Sequence, residues 1–271
     1  MIQKFLPLLC AVIGLNAVSM AQKKRQPIWE AGLQYNLPAD TLEIEVVKNI
    51  NYQTEKNNFT TLDIYKPAGN KTIPPQPAVI LIHGGPVSAD IPVKPKDWKL
   101  YSDYGKLLAS KGITAVVINH RIFDKENITQ SRSDVLASIT FIKANAGHYG
   151  LNSNSVGLWM FSLGGKHFDF FAQQKDSSVK AMISFYGVLS TERQTSDPTG
   201  YIPPQLIVRS GMDKPELLSV TDAYISKALQ LNHPVEVVNH KNGVHAFDIL
   251  QNSEQTIKLI NSAIEFLKVN L

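Results

Sequence analysis

The chain of 271 residues is 44% apolar and 18% charged, the composition of a folded globular protein rather than a disordered or fibrous one. Its formal net charge of +4 comes from 27 basic and 23 acidic residues interspersed along the chain, so nucleic acid is not an expected partner. The single cysteine, Cys10, lies inside an apolar run, and the seven histidines are dispersed; a disulfide framework and a zinc spacing are both excluded, and no cofactor or metal is expected.

Lys4 precedes the apolar run 5–18, and Ser19-Met20-Ala21 places small residues where a signal peptidase reads. The run is too short to span a bilayer and polar residues follow at once. Residues 1–21 therefore read as a signal peptide and 22–271 as one exported domain, periplasmic or secreted, without a membrane span once the signal is cleaved. Nothing in the sequence sets its oligomeric state.

Along the remaining chain, residues 42–49 and 59–65 alternate apolar and polar side chains around an Asn-rich turn, predicting an antiparallel hairpin at a sheet edge. Short β-branched runs at 78–82, 114–118, 156–161, 179–185, 206–208 and 235–238 predict strands buried on both faces. Helical patterns fall between them at 98–110, 134–146, 166–174, 216–231 and 253–267, with Ser133 or Asp134 and Ser253 as N-caps. Alternation of strand and helix predicts an α/β fold with a mostly parallel central sheet covered by helices on both faces. Ligands bind such sheets at the carboxyl ends of the strands.

Four sequence features fall at those ends. His83-Gly84-Gly85-Pro86 follows strand 78–82 and lets the backbone approach a ligand closely, with the Gly85 amide as an oxyanion donor. Residues 155–167, SVGLWMFSLGGKH, read as strand, tight turn and helix with Ser162 at the apex; such a turn exposes the hydroxyl as a nucleophile and aims the Leu163 amide at the same point. Asp213 lies in a turn beyond strand 206–208, and His245 lies in the loop before the last helix. Ser162 as nucleophile, His245 as base and Asp213 as its orienting acid make one acyl-transfer set. His233, His240, Glu216 and Asp222 are the competing side chains for the last two roles.

These motifs, with Asn119-His120-Arg121 and Gly243-Val244-His245-Ala246-Phe247-Asp248, resemble the α/β-hydrolases, in particular their dienelactone hydrolase-like and small carboxylesterase branch. The resemblance spans nearly all of 22–271. It implies the α/β-hydrolase fold, a serine hydrolase cleaving small or medium esters through an acyl-enzyme, and a structural ion pair for Arg121. Two positions depart from the pattern: Met160 stands where the elbow usually has glycine, and Pro86 where a third glycine is common. Met160 is expected to face Gly164 across the turn, and segments 87–99 and 190–204 to wall the pocket. A prolyl oligopeptidase-like peptidase and a catalytically weakened binding protein are the alternatives.

Overall fold

The computed structural model describes residues 27–37, 44–55, 57–67, 75–126, 128–192, 194 and 200–271. The expected signal peptide and part of segment 190–204 lie outside them. The strands are β1 Ile44–Asn51, β2 Thr61–Pro67, β3 Gln76–Ile82, β4 Thr114–Ile118, β5 Leu151–Phe161, β6 Val179–Phe185, β7 Gln205–Ser210 and β8 Val235–His240. They form one sheet in the order β1-β2-β4-β3-β5-β6-β7-β8. The β1–β2 and β2–β4 pairs are antiparallel and every later pair is parallel. This is the α/β-hydrolase fold, with the expected hairpin at one edge.

The helices are α1 Lys99–Ser110, α2 Thr129–Ala144, α3 Ala146–Tyr149, α4 Phe168–Ala172, α5 Pro215–Gln230, α6 Phe247–Leu250 and α7 Glu254–Asn270. Because strand side chains alternate between faces, two cores form. Val79, Leu81, Trp159, Phe161, Ile183 and Phe185 meet α1 and α7 on one face, while Ile80, Ile82, Leu158, Met160 and Met182 meet α2, α4 and α5 on the other. Burying each such side chain stabilises the fold by roughly 1.5–3 kcal/mol, and this double burial fixes the strand register that presents the site. Among the described residues no helix is long and apolar enough to cross a membrane.

Ser253 caps α7 as expected, its Oγ accepting the Thr256 N–H at 3.1 Å. The expected start of α2 at Ser133 or Asp134 is wrong. That helix begins at Thr129, without a side-chain cap, because the Asp134 carboxylate is committed elsewhere. It is buried and accepts from Arg121 through Nε at 2.9 Å and Nη2 at 2.6 Å, as well as from the Arg121 backbone N–H. Arg121 is thus an ion-pair partner, as the resemblance implied. The 166–174 helix is broken in two: a 3-10 turn from Ser162 to His167 precedes α4.

Candidate active site

Ser162 follows β5 in the left-handed region, at φ +50°, a conformation uncommon for a residue with a side chain. Glycines make room for that turn. A Cβ on Gly84 would lie 2.8 Å from the Ser162 Cβ, and one on Gly165 would lie 2.9 Å from the Gly187 Cα and the Val188 amide nitrogen. A Cβ on Gly164 would first meet the carbonyl oxygens of His83 and Ile82, at 2.6 and 2.9 Å. Gly164 is therefore required by the end of β3. The expected contact with Met160 is corrected accordingly: that side chain is buried in the opposite core, on a residue registered between Ile82 and Ser184.

His245 reaches Ser162 from the loop after β8, held by Ala246 in the left-handed region before α6. Its Nε2 lies 2.7 Å from Ser162 Oγ, and its Nδ1 lies 2.6 Å from Asp213 Oδ2. A carboxylate only accepts, so Nδ1 carries the proton of the neutral ring and Nε2 accepts from the serine hydroxyl. Asp213 is fixed in turn by the Lys214 N–H, which donates to Oδ1 at 2.8 Å. The competitors are engaged elsewhere: His240 packs edge-on against Phe247, and Asp222 pairs with Arg209.

A second serine–histidine pair, Ser131 Oγ to His167 Nε2 at 2.8 Å, is fully buried and belongs to a hydrogen-bonded ladder. Carbonyls can only accept, so His83 Nδ1 donates to the Gly84 carbonyl at 2.6 Å and His120 Nε2 to the His83 carbonyl at 3.1 Å. The His120 N–H then donates to His83 Nε2, Ser131 to His120 Nδ1, and His167 Nε2 to Ser131. All three rings are neutral: burial, the foremost cause for each, pushes His83 down to about 4, His167 to about 3 and His120 well below the usual range. The ladder has a consequence for the site. In a trans peptide the carbonyl and the following N–H point opposite ways, so holding the Gly84 carbonyl turns the Gly85 N–H away from His83.

Ser162, His245 and Gly85 open on a cavity of about 270 Å³ walled by Ile28, Trp98, Leu100, Tyr101, Tyr186 and Ile249. Of the expected walls, 87–99 contributes Trp98 alone, and no described residue of 190–204 takes part; the first turn of α1 and the segment around Ile28 enclose the cavity instead. Tyr101 and Tyr186 were not singled out in the sequence, although Trp98 and Tyr101, three apart at a helix start, share a face. Tyr186 packs edge-on to the His245 ring at 5.1 Å. It and Tyr104 both donate to Asp248, whose carboxyl burial pushes up to about 6 against the pull of those hydroxyls.

Residues 62–241 match the model of the BD-FAE family. The chain belongs to the BD-FAE family. This BD-FAE member is a carboxylic ester hydrolase of the α/β-hydrolase fold. Its fold is similar to a truncated carbohydrate esterase from gut microbiota, at TM-score 0.69 and 17% identity over 86% of this chain and 99% of that one. It is also similar to esterase B from Lactobacillus rhamnosis (TM-score 0.67, 15% identity, 84% and 86% covered). A thermophilic esterase from Thermogutta terrifontis is another similar structure (TM-score 0.61, 17% identity, 84% and 93% covered). No curated protein matches the sequence.

Proposed function

We propose that this protein cleaves small or medium acyl groups from a carbohydrate through an acyl-enzyme on Ser162. The supporting observation is the continuous relay from Ser162 through His245 to Asp213 at the floor of an apolar cavity. Ser162 Oγ attacks the acyl carbon while its proton passes to His245 Nε2. The tetrahedral intermediate then expels the alcohol oxygen, which leaves with that proton. Water repeats the sequence on the acyl-enzyme and releases the acid. Asp213 keeps the proton on Nδ1 and stabilises the imidazolium. The amides of Gly85 and Leu163 bind the oxyanion; the Leu163 N–H is free of intrahelical partners in the first turn of its 3-10 helix.

At about 270 Å³ the cavity lies just below the range of roughly 300–1,000 Å³ typical of whole-ligand pockets. It accepts an acyl group, up to an aromatic one that would lie along Trp98 and Tyr101, and leaves a sugar outside. The gut-microbiota neighbour is named a carbohydrate esterase, which supports the alcohol side of this reading. Export rests on the signal-like residues 1–21; mass spectrometry of the protein secreted by its host would read the mature N-terminus.

The test of the chemistry is hydrolysis of acylated oligosaccharides beside 4-nitrophenyl esters by wild type and Ser162→Ala. Loss of both activities in Ser162→Ala, with faster turnover of the sugar ester in wild type, is expected. Equal activity of Ser162→Ala and wild type would remove Ser162 as nucleophile. Wild-type cleavage of nitrophenyl esters alone would remove the carbohydrate.

A further inference from the structure

We propose that Tyr101 is a further catalytic residue, its phenolic hydroxyl donating a third hydrogen bond to the oxyanion that forms on the acyl carbonyl. This rests on the acyl-enzyme reading above and adds a group to it. The Gly84 N–H donates to the Tyr101 oxygen at 3.2 Å, and Gly84 itself lies against Ser162, its absent Cβ only 3.3 Å from Ser162 Oγ. The hydroxyl is thus tied to the loop that carries the Gly85 amide.

A phenol has one proton to donate and lone pairs to accept with. The Gly84 amide uses a lone pair, and among the described residues nothing accepts the Tyr101 proton. The residue is 4% exposed and lines the cavity shared with Ser162, Gly85 and His245. Its proton is directed to that cavity.

The ring is also held rigidly, as a preorganised donor must be. Trp98 stacks on it at 6.1 Å, Phe161 meets it edge-on at 5.4 Å and His83 lies at 6.2 Å. Burial raises the phenol well above its ordinary range, so it keeps its proton at every working pH. Accepting from Gly84 further polarises the O–H towards donation.

Tyr101→Phe removes the donor but also leaves the Gly84 N–H unpaired, so one further replacement separates the two roles. In 3-fluorotyrosine the phenol is the stronger acid, a better donor and a poorer acceptor, at nearly the same volume. The kcat and KM for 4-nitrophenyl acetate are measured for wild type, Tyr101→Phe and protein carrying 3-fluorotyrosine at 101, with thermal midpoints. Tyr101→Phe should lower kcat about ten- to hundredfold, less than the loss of a principal donor, with KM within about threefold. The fluorinated protein should match or exceed wild-type kcat. An unchanged kcat in Tyr101→Phe, or a fluorinated protein slowed alongside it, overturns the proposal; the second outcome would make the hydroxyl a mere acceptor for Gly84. Should Tyr101→Phe fail to fold, the fluorinated protein decides alone. Ser162→Ala assayed in parallel tells apart failure of the acyl-enzyme reading, in which it stays active, from failure of the Tyr101 assignment.

Discussion

Ser162 holds a left-handed backbone because the space around its turn is filled by main chain rather than side chains. At position 164 the obstacles are the carbonyl oxygens that end β3, and neither can move without disturbing the strand that leads to Gly84 and Gly85. Gly164→Ala should therefore destabilise by about 1–3 kcal/mol, the usual effect of overpacking, and slow hydrolysis as well. Met160 lies in the core beneath the sheet, so Met160→Gly removes side-chain packing there and leaves in place the carbonyl oxygens that Gly164 faces. Denaturant melts of the two single variants and the double variant should be additive within about 0.5 kcal/mol. A larger coupling would mean that the two sites share a contact after all. The residues legible in the sequence were those marked by local backbone need: Ser162 before its glycines, Asp213 in a turn and His245 in a loop. Tyr101 and Tyr186 are held in the cavity wall by partners as distant in sequence as Gly84 and Asp248. The three-residue spacing of Trp98 and Tyr101 is the one local sign among them.

At the level of elements, the strands were readable because double burial leaves continuous apolar runs, and two of them, β4 and β6, fall at the expected bounds. β5 begins five residues before its expected start, at Leu151, which pairs with Gln76 of β3, while residues 152–155 are polar and carry no apolar run. The start of α2 was misplaced for a related reason. A Ser-Asp pair looks like a cap, yet Asp134 faces inward and fastens α2 to the segment after β4 through Arg121. That fastening has a measurable size. Asp134→Ala leaves the Arg121 guanidinium without its carboxylate and exposes no new acceptor, so a loss of about 3–5 kcal/mol is expected. Ser133→Ala, at an exposed position, should stay within about 0.5 kcal/mol. If both variants melted alike, the ion pair would contribute nothing to holding α2.

Over the whole molecule, three neutral histidines lie behind the loop ending β3 and one protonatable carboxyl lies beneath the His245 loop, and the balance between them sets how the fold responds to acid. His83, His120 and His167 all titrate lower folded than unfolded. Each therefore takes up a proton on unfolding below about pH 6.5, and stability that is intact above that pH is lost as it falls towards the folded values, about 4 for His83 and about 3 for His167. Asp248 has the opposite sign. Its folded value is raised to about 6, so between about pH 6 and 4 the folded state binds a proton that the unfolded state does not, and it offsets one histidine. His240, also lowered by burial, adds to the histidine side, so on balance the unfolded state binds more protons than the folded one in that window and stability falls as the pH does. Acid should therefore destabilise the fold progressively between about pH 6.5 and 4. Urea melts between pH 7.5 and 4.5 measure the slope. Asp248→Asn, which cannot titrate, should steepen it by one proton, whereas His167→Gln should flatten it by one. A stability that stays level from pH 7 to 5 in the wild type would mean that the ladder carries a charge in the folded protein.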